Sequence, residues 1–194
     1  MPFMPPIIDG RFTKYQGEII STHLALAIWL VDATTGRTPL GNVKIFLKEE
    51  KLKALKNLSG YFCFNDLLSG LYIISVDSDY YFNVNKTVFL PLPEPKNPVI
   101  EIILYPKPNY PFSDQATLVR GLVSDGEPIV DAEINVVGKA IQSSTNKKGE
   151  FVLQFKGIKQ ESITIEITKY GRSVTVNAQI NEKKITSLGV IKFP

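Results

Sequence analysis

The chain is predicted to be an all-β protein made of two tandem antiparallel β-sandwich domains. No segment of about twelve or more residues carries the apolar stripe of an amphipathic helix. Short runs rich in Ile, Val, Leu, Phe and Tyr recur instead, separated by Gly, Pro, Asn and Asp. Landmark residues of the first half also return 89 positions later in the second half, as Pro39 and Pro128 show (128 − 39 = 89).

Seven strands are expected in each half, and several of them alternate between apolar and polar residues. Ile163, Ile165 and Ile167 point one way, which indicates a strand with one buried face. Residues 49–56 have a helix-favouring composition but fit neither period, and we predict a hairpin there. The predicted strands are 24–31, 42–48, 51–57, 61–66, 70–77, 83–90 and 99–105, followed by 116–123, 132–137, 140–144, 150–155, 162–168, 173–180 and 186–193.

The 89-residue offset predicts two copies of one β domain, at 24–105 and 113–194. A single offset is expected to hold from the first strand to the last. Seven short strands in about 80–90 residues are typical of a sandwich. The matched pairs include Pro39 and Pro128, Phe62 and Phe151, Tyr81 and Tyr170, and Ile102 and Ile191.

Two segments lie outside the repeat. Residues 106–112 contain three prolines and are predicted to form a short, semi-rigid linker. Residues 1–23 form an arm without a counterpart in the second half. The arm either folds back on its own domain or docks on a neighbouring subunit, and we expect the second. Its apolar residues are the candidate interface residues Phe3, Met4, Ile7, Ile8, Phe12 and Tyr15.

The repeat unit resembles a known family. Residues 30–46 and 57–76 of the first copy, and 119–136 and 145–153 of the second, share a pattern of strand, Pro-containing turn, strand and Gly hairpin. This pattern resembles the carboxypeptidase regulatory-like domain, a transthyretin-like sandwich, and is similar to the collagen-adhesin B-type repeat. The resemblance implies a prealbumin-like or Ig-like fold and leaves function open, because such modules occur in many unrelated proteins.

The chain lacks the residues that the activities associated with these families need. Strand 24–31 has no Lys, and strands 99–104 and 186–193 have no Asn or Asp, so no isopeptide cross-link is expected. One His excludes a histidine-rich hydrolase site, and one Cys excludes an internal disulfide and a thiolate metal cage. We therefore expect no catalytic residue, no metal and no cofactor.

Charge and hydropathy exclude further classes. The net charge of +3, from 22 basic and 19 acidic residues, does not indicate a nucleic-acid binder. No apolar run approaches the roughly 20 residues that span a membrane. Prolines interrupt the N-terminal apolar run, so no secretory signal is expected, and a cytoplasmic or cytoplasmically assembled particle is favoured over a secreted protein.

Single residues with chemical potential are interpreted as structural. His23 lacks partners for a triad, Cys63 is expected to be inert, and Trp29 is expected in the core. If Tyr81 points inward, like its match Tyr170, its neighbours Tyr80 and Phe82 point outward. These two are candidate interface residues, for a protein in preference to a sugar.

The sequence therefore predicts a non-enzymatic structural or interaction protein. The favoured role is a subunit or adaptor of a larger assembly, such as a tail-like injection particle or a surface filament. A protein partner, or self-association through the arm, would hold that assembly together. The alternative is a carbohydrate-binding or adhesive module at the cell envelope.

Overall fold

The computed structural model describes residues 7–9, 12–14 and 21–194, and these residues form strands, turns and bends without a helix. The all-β prediction is confirmed. Across the same ranges, no helix is long and apolar enough to cross a membrane. The strands are β1 (Ile7–Asp9), β2 (Phe12–Lys14), β3 (Leu24–Asp32), β4 (Val43–Leu47), β5 (Leu55–Lys56), β6 (Phe62–Asn65), β7 (Gly70–Ser78), β8 (Val84–Leu90), β9 (Val99–Leu104), β10 (Thr117–Ser124), β11 (Glu133–Val136), β12 (Gln142–Ser144), β13 (Glu150–Phe155), β14 (Gln160–Lys169), β15 (Arg172–Asn181) and β16 (Ile185–Lys192).

The first half folds as a sandwich of two sheets. One sheet has the strand order β5-β6-β3-β9 and the other has the order β4-β7-β8. Alternate residues of each strand face the space between the sheets, as a two-residue period requires. The buried core comprises Leu26, Ile28, Leu30, Ile45, Leu47, Phe64, Ile74, Val76, Tyr81, Val88, Leu90, Ile102, Leu104 and Tyr110.

The second half is a separate sandwich that places six of its seven strands as the first half does. Its sheets have the orders β13-β10-β16 and β12-β11-β14-β15, so each sandwich has a first strand flanked by its fourth and last strands. Its third strand, β12, pairs with β11, whereas the third strand of the first half, β5, pairs with β6 in the other sheet. That the halves are copies of one unit, with the boundaries given above, stays a prediction. The second core comprises Val119, Val123, Ala132, Ile134, Val136, Phe151, Leu153, Phe155, Ile163, Ile165, Ile167, Ala178, Ile180, Ile191 and Phe193.

Each sandwich contains one parallel strand pair among its antiparallel pairs. β3 lies parallel to β9, and β10 lies parallel to β16. The last strand arrives from the opposite sheet, so it can run in the same direction as the first strand beside it. One sheet of each sandwich is therefore mixed, a detail that an antiparallel prediction from strand length alone does not contain.

The single 89-residue offset is wrong for the first strand. Ile28 pairs with Phe62, and Gly121 pairs with Phe151. The two phenylalanines keep the offset (151 − 62 = 89), but their partners differ by more (121 − 28 = 93). Ile45 follows Ile28 by 17 residues, whereas its match Ile134 follows Gly121 by 13, so the second half is four residues shorter here and its first strand leaves the common offset.

The match of Tyr81 with Tyr170 is also wrong. Tyr81 is fully buried in the connection between β7 and β8, whereas Tyr170 is 85% exposed. Tyr170 lies in the tight turn between β14 and β15, where its φ of 50° directs the chain back on itself. Residues 49–56 contain a turn and the short strand β5 and no helix, as predicted.

Gly121 allows β10 and β13 to pack closely over the second core. A Cβ at this position would lie 2.7 Å from Cε1 of the Phe151 ring and 3.3 Å from Cδ1 of Ile191. Phe151 is 1% exposed and is held on all sides by the core. The glycine therefore provides the space that the aromatic ring fills.

Gly121→Ala is expected to lower the free energy of unfolding by about 1–3 kcal/mol, because the methyl group overpacks the ring. In a Phe151→Leu background the same substitution should cost clearly less, since the ring edge is gone. Urea unfolding of the wild type, both single variants and the double variant measures this coupling. Strictly additive losses would contradict the contact.

Candidate functional site

A buried carboxylate organises the most polar part of the first sandwich. Asp32 is fully buried and accepts hydrogen bonds from the Thr34 N–H at 2.7 Å and the Thr35 hydroxyl at 3.1 Å. The hydroxyl of Tyr81 donates to its Oδ2 at 3.0 Å, and that of Tyr110 donates to the same oxygen at 2.6 Å. An unpaired carboxylate at this depth would cost several kcal/mol, and these four donors compensate that cost.

The strand period brings this acid into the core. Leu26, Ile28 and Leu30 of β3 face inward, so Asp32 at the end of the same strand also faces inward. Tyr81 completes the cluster from the other sheet's connection, and its oxygen accepts the N–H of Leu40 at 3.0 Å. The cluster therefore joins both sheets of the first sandwich at one end.

The segment of residues 105–112, called the linker segment below, is hydrogen-bonded to the first sandwich. The Phe82 N–H donates to the Tyr105 carbonyl at 3.0 Å, and the Lys107 N–H donates to the Tyr80 carbonyl at 2.7 Å. The Lys107 ammonium also donates to the Ser78 carbonyl at 2.6 Å. The predicted semi-rigid spacer is thus packed against the sandwich over most of its length.

Aromatic rings and one arginine complete this packing. The Tyr110 ring lies 5.5 Å from Tyr81 in an edge-to-face arrangement and 4.7 Å from Phe112. Arg120 of β10 donates to the Pro108 carbonyl at 2.8 Å, and its guanidinium lies 5.8 Å from the Phe112 ring. The linker segment therefore contacts side chains on both of its flanks.

Burial raises the pKa of both tyrosines of the cluster. For Tyr110 the largest cause is desolvation, followed by the hydrogen bond to Asp32 and the negative charge of that carboxylate. For Tyr81 desolvation again raises the pKa most, and the Asp32 charge adds to it, whereas the Leu40 N–H opposes it. Both phenols therefore stay protonated as donors to Asp32 at neutral pH.

The candidate interface residues fall into two groups. Tyr80 and Phe82 are half-buried beside the linker segment, and the Tyr80 ring lies 6.5 Å from that of Tyr110. Six candidates belong to the arm. Phe3, Met4 and Tyr15 lie outside the described residues, whereas Ile7 and Ile8 belong to β1, Phe12 belongs to β2, and β1 pairs antiparallel with β2.

Trp29 does not lie in the core, and this prediction is wrong. Because Ile28 and Leu30 face inward, Trp29 faces the outer side of the sheet, where it is half-buried. Its ring lies 4.9 Å from that of Tyr61 with an interplanar angle of 45°. The outward orientation of Trp29 follows from the alternation of β3. The core prediction relied on the size of the side chain and did not use this alternation.

His23 and Cys63 have structural surroundings. The His23 N–H donates to the Asp66 carboxylate at 2.8 Å, and the Asp66 N–H returns a bond of 2.8 Å to the His23 carbonyl. The exposed imidazole lies 3.8 Å from this same carboxylate. Cys63 is a half-buried free thiol. Within the described ranges, no group of three or more His, Cys, Asp or Glu is placed to hold a metal.

Comparisons with known proteins give structural similarity only. No family model matches the chain, and no curated protein matches it, so the family resemblance stays a prediction. Among solved structures, the Bacillus anthracis TIE protein is 18% identical with a TM-score of 0.31, covering 89% of this chain and 34% of that one. The shaft pilin spaA from Lactobacillus rhamnosus GG is 7% identical with a TM-score of 0.29, covering 90% and 99% of the two chains.

A third similar structure is the D00-D0 domain of Intimin, with 11% identity, a TM-score of 0.22 and coverage of 72% of this chain and 77% of that one. The chain spans about a third of the length of the TIE protein chain. At these scores the similarities do not assign a function, and any function must come from the site itself.

Tyr110→Phe and Tyr81→Phe are each expected to lower the free energy of unfolding by about 1.5–3 kcal/mol, since each removes a hydrogen bond to a charged group. Tyr170→Phe is the matched control, because its side chain is 85% exposed, and it should change stability by less than about 0.5 kcal/mol. Urea unfolding measures all three. Equal midpoints for the Tyr110 variant and the control would contradict the cluster.

The raised tyrosine pKa values predict a loss of stability at alkaline pH. The unfolded phenols ionise near their ordinary pKa of 10.0, whereas the folded pair stays protonated. The contribution is complete below about pH 10 and is lost as the pH rises above it. Urea midpoints measured from about pH 8 to 11 should fall less steeply for the Tyr81→Phe, Tyr110→Phe double variant. Parallel curves would refute the assignment.

Proposed function

We propose that this chain is a non-enzymatic structural or interaction protein that joins a larger protein assembly, such as a tail-like injection particle or a surface filament, through its N-terminal arm. The partner is a protein, and the simplest partner is a second copy of this chain. The free thiol of Cys63 is compatible with assembly in the cytoplasm.

The observation that carries this proposal is the pairing of the arm's strands. β1 and β2 form a two-stranded sheet of their own, separate in strand order from the four sheets of the sandwiches. A two-stranded hairpin alone is marginally stable in water and requires a surface to pack against. Three apolar residues, Ile7, Ile8 and Phe12, belong to these strands and favour a protein surface as that support.

The buried polar cluster supports a structural role over catalysis. The acceptor Asp32 is fully buried, and its oxygens are already occupied by protein donors. A reacting group has to meet its substrate within hydrogen-bond reach, and this carboxylate meets only the protein. The cluster therefore contributes to holding the fold and the linker segment in place.

Deletion of residues 1–20 tests the proposal. The intact chain should form a defined oligomer, and the deletion should leave monomers with unchanged urea midpoints, because the sandwiches begin at β3. Size-exclusion chromatography with light scattering gives the masses. An intact chain that stays monomeric at high concentration, together with a destabilised deletion variant, would contradict assembly through the arm.

A carbohydrate-binding role is the second candidate, and one feature favours it. The rings of Trp29 and Tyr61 lie 4.9 Å apart on the outer side of the sheet. Half-buried aromatic rings of this kind have an apolar body with a polar edge and suit stacking against sugars. A Cβ atom added to Gly60 would lie 3.4 Å from the Trp29 ring.

Trp29 is the chain's single tryptophan, so its fluorescence reports on this face directly. Saturable quenching by an oligosaccharide panel, lost in Tyr61→Ala and kept in Tyr170→Ala, would establish the carbohydrate role. Unchanged emission at millimolar sugar would remove it.

A further inference from the structure

Three large apolar side chains form an exposed patch at one end of the first sandwich. Leu68 is 80% exposed, Leu71 is 64% exposed and Phe89 is 62% exposed. Leu71 and Phe89 are cross-strand partners on the outer face of β7 and β8, and Leu68 lies in the turn that leads into β7. We call these three residues the apolar patch. Such exposed clusters mark interaction surfaces more often than single exposed side chains do.

The turn that carries Leu68 is held rigidly. The Tyr72 hydroxyl donates to the Leu68 carbonyl at 2.9 Å, and the Ser69 hydroxyl donates to the Leu90 carbonyl at 3.0 Å. The second bond ties the turn to the end of β8, next to Phe89. A preformed surface of this kind loses little conformational entropy when a partner binds.

The second sandwich is polar at the corresponding place. In the β14–β15 hairpin, Ser162 pairs with Gln179, and their side chains are hydrogen-bonded to each other. Phe89 and Gln179 occupy corresponding positions, because each is followed by a buried residue. Leu90 follows Phe89, and Ile180 follows Gln179. The outward apolar pair is therefore a property of the sandwich that follows the arm.

The arm joins the fold beside this patch. His23 and Asp66 exchange two hydrogen bonds, so the chain enters β3 next to the turn that contains Leu68, two residues after Asp66. Residues 15–22 connect the β1–β2 hairpin to this point. Eight residues span at most about 29 Å when extended, so the hairpin can lie that far from the point where the arm enters β3.

We propose that the apolar patch is the receiving surface for the arm, residues 1–20, of a neighbouring copy of this chain; this rests on the proposed function. The occupant is a hairpin in which three of the six paired residues are apolar, and the patch offers these three a preformed apolar face. Because the arm leaves the fold beside the patch, two copies related by a two-fold axis can exchange their arms reciprocally. The same contact is then made twice in each pair.

The test replaces the patch with the residues of the second sandwich. Leu71→Ser combined with Phe89→Gln installs the pair found as Ser162 and Gln179, which a β hairpin of this protein already accommodates. The matched control is Ile185→Ser combined with Val190→Gln on β16, where the side chains are 63% and 70% exposed. Light scattering across a dilution series measures the dissociation constant of the full-length oligomer.

The patch variant should raise the dissociation constant about a hundredfold or more, as is expected for deletion of residues 1–20, and the control variant should leave it unchanged. Urea midpoints verify that both variants are folded. If the deletion dissociates the oligomer and the patch variant does not, this inference is overturned and the proposed function is retained.

Cross-linking gives an independent readout, because it reports which residues lie close together and does not require the oligomer to dissociate. In a Cys63→Ser background, chains with Ile8→Cys are mixed with chains carrying Leu68→Cys, and a short thiol cross-linker is added. The inference expects a cross-linked pair of chains, with Ile185→Cys as the negative control. Equal yields at positions 68 and 185 would overturn it.

One further result would separate the receiving surface from the identity of the chain that supplies the arm. The intact chain would be monomeric, and its arm would be protected from protease until the patch is substituted. That result would place the arm on the patch of its own chain. It would contradict the proposed function and the neighbouring copy, and the patch would remain the receiving surface.

Discussion

The buried carboxylate of Asp32 is the constraint around which the first sandwich is arranged. It lies at the end of a core strand, where a charge is stable only if protein donors replace water. Tyr81 and Tyr110 supply two of those donors, and they come from widely separated parts of the chain. Satisfying one acid therefore fixes the β7–β8 connection and the linker segment together.

This dependence explains why the linker segment behaves as part of the first sandwich. Tyr110 is nearly as buried as the aliphatic core, although it lies beyond the last strand, β9. Its ring packs edge-on against Tyr81 while its hydroxyl reaches Asp32. The packing of the ring and the satisfaction of the charge require the same placement, so neither is independent of the other.

Strand positions could be predicted because alternation and turn residues are local signals. The Ile163 to Ile167 alternation gives both the strand and its buried face. The Asp32 cluster could not be predicted, because its partners are 49 and 78 residues away and share no periodic signal. An acid continuing the inward register of Leu30 was the one available sign. For Trp29 the alternation of β3 was available in the sequence and gives the outward orientation, whereas the size of the side chain alone suggested burial.

The two halves place six of their seven strands alike and differ in their surfaces. The first carries the arm, the linker segment and the apolar patch, whereas the corresponding hairpin of the second presents Ser162 and Gln179. These differences lie at edges and outer faces, which the core pattern does not specify.

Hydrogen exchange at the linker segment tests the central claim most directly. The N–H groups of Phe82, Lys107 and Tyr110 donate to backbone carbonyls next to the cluster, at 3.0, 2.7 and 3.0 Å. If Asp32 holds this segment in place, these amides are protected to nearly the level of β3, and Asp32→Ala removes their protection while β10–β16 keep theirs. Exchange at the rate of a free chain in the wild-type protein would contradict the account.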